Sequence, residues 1–584
     1  SYQWRKNGQP IPGDTQPVLR FENLNWDDAA NYTVTVTNTA GSVTSDAAEL
    51  MPVAPQTNTP PPLPKFPEAA YDVTAYGAVG DGATDNTAAI QRAIDVAVAG
   101  GGGIVTIPAA AQPYLSGPIR LGNNINLQVD HGATLRALPF ATDGKIPAYP
   151  ATGERYADFI SATGVHDVAI TGAGTINGDG EAWWRAFRTN RNLPHRPFLI
   201  RTGNCDRVYL GGVTLTRSPM FHAALGSTNN LTVFNLVIDT PEGPNTDGVD
   251  PSGSHQLFQN CSIATGDDNI VMKPGGTYCS DITVSDCFFA EGHGMSVGGQ
   301  SNRGLDGMVI KNCTFVGTTS GLRLKADATE GGDVKNITCT NLTMRNVEYP
   351  IVFYSYYHPV GNPGSISGNN LITPEKVNAW NAKPPNSLAR KTLPAWKNVT
   401  INNVTATGTK GYNIIWGLAL DGYLIDNIKL NNVRMSDGPG FEIYNASNVQ
   451  FTGDTDVGKI ITANALAIVS QPKNQSVAPG AGATFTVGVA GTSGASRAAA
   501  KIQWTFNGKP LADGKLADGA DVSGATGATL TLTNVQAAQA GKYAAVASNS
   551  LDGFDVAASA LKPASLAVSA TSSPATLTVS AAGK

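Results

Sequence analysis

Between residues 66 and 460 the apolar positions fall in short alternating groups, separated by polar turns rich in Asn, Gly and Asp. Val233-Phe234-Asn235-Leu236, Phe258-Gln259-Asn260-Cys261, Val284-Ser285-Asp286-Cys287 and Ile310-Lys311-Asn312-Cys313 are consecutive instances. Cys339-Thr340-Asn341-Leu342, Ile401-Asn402-Asn403-Val404 and Leu430-Asn431-Asn432-Val433 continue the series. From Asn235 the third position recurs after 25, 26, 26 and 29 residues to Asn341, then after 62 and 29. Alternation predicts strands with one buried side, and a fixed period of this length predicts a solenoid. No helical pattern separates the groups, so leucine-rich and ankyrin repeats fit poorly. The prediction is all-β, a right-handed parallel β-helix over 66–460. In such a coil the recurrent Asn stacks as an amide ladder. That role is preferred to glycosylation for the Asn-X-Ser/Thr matches at Asn260, Asn341 and Asn403. Cys261, Cys287 and Cys313 share one register and are expected as an inward stack of buried thiols.

Three segments depart from the period. Thr87 to Val98, with apolar residues at 90, 93, 94 and 97, predicts a helix that caps the open end of the coil and shields its strand edges. Pro139 to Asp158 and Pro359 to Trp396 are long insertions, the kind of loop that shapes a binding groove.

The two ends of the chain share another pattern. Trp4, Asn7-Gly8, Leu24 and a strand opening at Tyr32 are matched by Trp504, Asn507-Gly508, Leu532 and a strand opening at Tyr543. A Trp, an Asn-Gly hairpin turn and a Tyr-led alternating strand resemble immunoglobulin-like β-sandwich domains. These are expected over 1–50 and 465–584, without the paired cysteines of antibody domains, as in bacterial relatives of that fold. The first copy starts three residues before its Trp, so it is expected to lack its first strands. A Pro-rich linker over 51–65 joins it to the coil.

Composition narrows the function. Only 15 % of residues are charged and the net charge is −5, which disfavours nucleic acid or an anionic membrane as partner. No apolar run approaches the ~20 residues of a membrane span. The first residues lack a signal-peptide pattern and read as a processed start. All six cysteines lie in the central segment, so this is no disulfide scaffold. No metal-ligand spacing or nucleotide loop is present, and neither metal nor cofactor is expected.

Four polar clusters stand out: Asn245-Thr246-Asp247, Gly266-Asp267-Asp268, Gly292-His293-Gly294 and Arg323-Leu324-Lys325. From Asp268 to His293 is 25 residues and from His293 to Arg323 is 30. Residues one coil apart are neighbours at about 4.8 Å, so the clusters should converge on one cleft. Crowded carboxylates raise at least one pKa, as glycoside hydrolysis needs. A local Arg/Lys pair holds an anionic sugar against the mildly opposing global charge.

In order and chemistry these clusters resemble the polygalacturonases, glycoside hydrolase family 28; the resemblance covers most of 66–460. It implies a secreted, extracellular or periplasmic enzyme cleaving α-1,4-galacturonosyl bonds of pectic polysaccharide or oligogalacturonides by inversion. It assigns Asp267 as general acid, Asp247 and Asp268 as activators of water, and His293 as the residue that tunes the acid. Arg323 and Lys325 would hold the galacturonate carboxylate, with Asn245 also at the substrate. Tyr357, closing the segment from Glu348, would contact substrate. Leu324 stands where the family usually has Ile, on the side expected to point inward. The long insertions favour exo action, and the protein is expected to be a monomer. Alternatives are a rhamnogalacturonan or xylogalacturonan hydrolase, a calcium-dependent lyase on the same fold class, and a non-catalytic polysaccharide-binding adhesin.

Overall fold

The computed structural model describes residues 1–584 apart from 17, 18, 20–29, 40, 46, 51–58, 152, 154, 327–330, 358–391, 419–422, 436, 492–499, 556–561 and 581–584. Leu24, most of the Pro-rich linker and most of the Pro359 to Trp396 insertion therefore lie outside the described residues.

The centre is a stack of parallel coils whose strands belong to one continuous 31-stranded sheet. Each full coil contributes a strand to each of three faces. One face runs through Ser254–Gln259, Cys279–Ser285 and Leu305–Lys311; a second through Ser262–Thr265, Phe288–Glu291 and Thr314–Val316. The third runs through Val249–Pro251, Ile270–Met272, Met295–Gly299, Ser320–Ala326 and Tyr349–Tyr354. Pairing on this third face stacks Ile270 on Met295, Leu322 and Ile351, all nearly fully buried. Leu324 pairs with Val297 and Phe353 in the next inward column, as expected for the residue between the two cations.

The Asn ladder is present. Asn260 donates to Asn235, Asn312 to Asp286, Asn341 to Asn312, Asn403 to Asn341 and Asn432 to Asn403, at 3.0–3.2 Å. All seven positions have φ between 54° and 57°, the left-handed region that Asn and Asp tolerate best. A second ladder, not anticipated from the sequence, runs through Asp306, Asn336, Asn398, Asn427 and Asn448. All six cysteines are free and buried.

The capping helix α1 spans Thr87–Ala99 and buries Ala89, Ile90, Ala93, Ile94 and Ala97. A second helix, α2 (Glu181–Thr189), precedes the first of the periodic groups and was not expected from the sequence. Its sequence is too short and too polar on its outer side to show a period. Trp183 holds it down, packed against Phe140, Tyr149 and Tyr156 of the Pro139 to Asp158 insertion.

Residues 467–579 contain two antiparallel-rich sheets around Trp504, Phe485 and Tyr543. Asn507 and Gly508 make the left-handed turn between Lys501–Phe506 and Lys509–Pro510. The strand Ile460–Ser470 pairs with the last coil on one edge and with Gly488–Gly491 on the other, so the division expected between 460 and 465 falls inside a strand. At the other end, one five-stranded antiparallel sheet repeats the Trp4 and Asn7-Gly8 arrangement. Trp4 is half-buried there, whereas Trp504 is fully buried.

Candidate active site

The polar clusters occupy turns and strands of the third face. Asp247 precedes Val249–Pro251, Asp267 and Asp268 precede Ile270–Met272, and His293 precedes Met295–Gly299. Arg323 and Lys325 lie on Ser320–Ala326, on the outward side because Leu322 and Leu324 point in. Backbone hydrogen bonds lock successive coils at these points: Gly248 N donates to Asp268 O at 2.8 Å, and His293 N to Asp267 O at 2.9 Å.

The residues around the charged groups explain the motifs. Gly292 and Gly294 have φ of 65° and 74°, and a Cβ on either would lie 2.4 Å from Asp267 O or 2.0 Å from Ser320 O. His293 therefore sits on a turn that only glycine neighbours permit. Thr246 is a staple, accepting from Gly266 N at 3.1 Å and donating to Gly243 O at 3.0 Å. Asn269, fully buried, accepts from Gly294 N at 2.7 Å and donates to Ile263 O at 2.9 Å.

Asp268 is the anchored carboxylate. Lys325 Nζ donates to Oδ2 at 2.6 Å and Ser296 Oγ to Oδ1 at 2.7 Å, with Arg323 Nη2 at 3.9 Å. Burial pushes its pKa up, but Lys325 and then Arg323 outweigh that and hold it well below the usual range. His293 Nδ1 lies 3.0 Å from Asp267 Oδ1 and 3.8 Å from Asp268 Oδ1. The first contact is a close approach rather than a well-aimed hydrogen bond. Burial raises the Asp267 pKa, and His293 outweighs it, so Asp267 too sits below its ordinary value. Asp247 behaves oppositely: burial, then Asp250 and Asp267, push it well above its ordinary value. Exposure singles out Asp267, 24 % exposed against 5 % for Asp247 and 1 % for Asp268.

The remaining expected residues are close by. Tyr357 Oη accepts from Arg323 Nη2 at 3.5 Å, and its ring lies 4.7 Å from Lys325 Nζ. Asn245 is one step back from the carboxylates, its Oδ1 accepting from Arg196 Nη2 at 2.8 Å.

Four residues escaped the sequence reading. Arg196, 2 % exposed, also donates to Pro219 O and Pro244 O and so fixes the Asn245 turn. His222, fully buried between Asp247 O and Thr240 Oγ1, is pushed by burial down to about 4 and stays neutral. Asp250 and Lys273 form a second pair, Nζ lying 3.4 Å from Asp250 Oδ2 and 3.8 Å from Asp247 Oδ2. Burial raises Asp250 to about 7 despite Lys273. Strand alternation was the available signal: Asp250 and Lys273 share the outward side.

Asp267, Asp268 and His293 each bring one ligand atom within 4.8 Å of the others. Asp268, however, is already engaged by Lys325 and Ser296, which fills the sites a cation would use.

Beyond the two cations the face is covered. Val352, Ile414 and Glu442 continue the Arg323 column, and Tyr354, Trp416 and Tyr444 the Lys325 column. None is more than 7 % exposed.

Comparison with known proteins places the chain among relatives. The chain is 30 % identical over 351 residues to an endo-polygalacturonase of Pectobacterium carotovorum, covering 55 % of this chain and 87 % of that protein. It is 32 % identical over 300 residues to a probable polygalacturonase of Arabidopsis thaliana, covering 50 % of this chain and 61 % of that one, so it spans less than two thirds of the plant relative. An exopolygalacturonase of Thermotoga maritima shares the fold, with a TM-score of 0.51 and 22 % identity over 70 % of this chain and 93 % of that one. An immunoglobulin domain profile matches residues 467–549. With residues 105–382 matching the glycosyl hydrolases family 28 profile as well, this chain belongs to that family of glycoside hydrolases.

Proposed function

We propose that the protein hydrolyses α-1,4-galacturonosyl bonds of polygalacturonate by inversion, releasing short products from a chain end. The observation that carries this reading is the meeting of Asp247, Asp267, Asp268 and His293 with Arg323 and Lys325 on one face. An inverting glycosidase needs one carboxyl protonated at the leaving oxygen and another ionised at the water. Asp268 stays ionised beneath Lys325. Asp247 holds the proton of the free site, and Asp267, the exposed member, faces the leaving oxygen. When the shared proton passes to Asp267, Asp247 and Asp268 are both ionised and activate the water. The three titrate as one set, with His293 tuning Asp267. Arg323 takes the uronate carboxylate with its planar fork and Lys325 with a point charge. Tyr357 and Asn245 border the sugar.

The covered columns beyond Arg323 and Lys325 support exo action, since a groove shut on one side cannot hold a chain running through it. Pectic polymers lie outside the cell, so the enzyme works after secretion, as a monomer without metal or cofactor.

Asp267→Asn keeps the shape and removes the proton donor. Turnover on polygalacturonate should fall by about 10²–10⁴-fold with the fold intact, and more than about a tenth of wild-type turnover retained would refute the role. Product analysis over the first minutes, with excess chelator present, reads the rest. Monomer or dimer alone is expected; a spread of oligomers means endo action. Unsaturated products that vanish on chelation would transfer the reading to a lyase.

A further inference from the structure

On the other side of the carboxylates the third face is open and basic. Register places Arg201 two coils from Asp250 in the same outward column, through Ala224. Arg155, from the Pro139 to Asp158 insertion, comes alongside it. Both side chains are 45 % exposed, and both reach the same carboxylate: Arg201 Nη1 is 3.1 Å and Arg155 Nη2 3.8 Å from Asp158 Oδ2. Asp158 also accepts from Phe198 N at 3.0 Å. Among the described residues, this one carboxylate answers two guanidinium groups. Burial, then Arg155, lowers the pKa of neighbouring His195.

The path from this pair to the carboxylates is continuous. Both guanidinium carbons lie over the Phe198 ring, at 6.0 and 5.8 Å. Phe198 stacks on Phe221 with centroids 4.7 Å apart and planes 3° from parallel. Lys273 Nζ, the partner of Asp250 and Asp247, lies 5.5 Å from the Phe221 centroid. The acidic centre therefore has cations on both sides along the stack axis, Arg323 and Lys325 on the covered side and Arg155 and Arg201 on the open one.

We infer that Arg155 and Arg201 form a remote subsite for a second uronate carboxylate of the bound polymer, with the Phe198–Phe221 stack as its floor. The inference rests on the polygalacturonate reading above and adds the direction in which the chain leaves the cleft. A polymer bearing one carboxylate per sugar presents a charge at each step, so a chain held by Arg323 extends across the acidic centre toward Arg201. Each guanidinium keeps N–H donors that Asp158 does not use, and both are nearly half exposed, so a ligand carboxylate can be met while Asp158 stays paired.

The test is Arg155→Gln/Arg201→Gln in the full chain, assayed on hexagalacturonate, with galacturonate monomer as competitive inhibitor. KM for the hexamer should rise about tenfold, the loss of one charge-assisted contact, with kcat within about twofold and the inhibition constant for monomer unchanged. An unchanged hexamer KM overturns the inference, and so does a parallel rise in hexamer KM and monomer inhibition constant, because neither separates a remote subsite from the cleft. If the double variant does not fold, Arg155→Gln alone, on the loop, should show the same split at smaller size. No hydrolysis of any oligogalacturonate by the wild-type chain would refute the functional reading itself, a result distinct from a length-independent variant.

Discussion

Two columns of polar residues repeat with the coil, and they do opposite work. Along one turn the same chemistry recurs: Asn, Asn, Asp, Asn, Asn, Asn and Asn, each in left-handed backbone, each bonded to its neighbour above or below. Along the third face the residues change at every step, from Asp247 to Asp267 and Asp268, His293, then Arg323 and Lys325. The first column is uncharged amide at every step but Asp286, whose carboxylate Asn312 holds below its ordinary pKa, and it is nearly saturated. The second is charged, partly unsatisfied at Asp250, His293 and Arg323, and buried enough to move several pKa values. In a periodic fold, a repeated polar residue marks a scaffold device, and a polar register that refuses to repeat marks chemistry.

The comparison can be broken most forcefully at Lys325. Lys325→Met removes the main partner of a carboxylate that is 1 % exposed, and stranding such a charge costs about 3–5 kcal/mol. Both thermal stability and activity should collapse, and denaturant unfolding measures the first. If stability holds while activity falls, the charged column is less deeply coupled to the fold than described.

The ladder should answer differently. Asn341→Ala removes the bonds to Asn312 and from Asn403 and puts Ala in left-handed backbone. Together these cost about 2–3 kcal/mol, while turnover per folded molecule stays unchanged. Asn341→Gly keeps the backbone conformation and should recover roughly 1 kcal/mol of that loss. Equal melting temperatures for the two variants would deny the conformational role of Asn.

The most gradual effect is a slope. Asp250, ordinarily near 3.8, keeps its proton in the fold to about 7, and Glu442, ordinarily near 4.5, also to about 7, both through burial. Between those values the folded chain binds more protons than the unfolded one, so stability falls as pH rises, by up to about 1.4 kcal/mol per pH unit for each group. Asp250→Asn should flatten the slope of melting temperature between pH 4.5 and 7, and an unchanged slope would place its proton elsewhere.

These contrasts also explain what could be read in advance. The coil period was visible because a left-handed turn repeated along a stack selects Asn over nearly everything else. The four clusters were visible because glycines flank them and rare residue types crowd together. Asp250, Lys273, Arg196 and His222 stayed hidden: each is a single residue whose role appears only when a neighbouring coil is laid against it. Helix α2 hid for another reason, since nine residues anchored by the adjacent buried Trp183 and Trp184 carry too few turns to reveal a period.

The six thiols have a consequence for how the protein can be made and watched. They are spread from Cys205 to Cys339, and every one is buried and unbridged, so the native state demands no oxidant and can form wherever the chain is synthesised. Burial pushes Cys339 and Cys279 up, with Cys279 reaching about 11, so these two offer alkylating reagents little thiolate in the intact coil. Each cysteine becomes reactive only when its own coil opens, and mass spectrometry of the modified peptides turns the chain's native composition into a position-resolved clock of local unravelling.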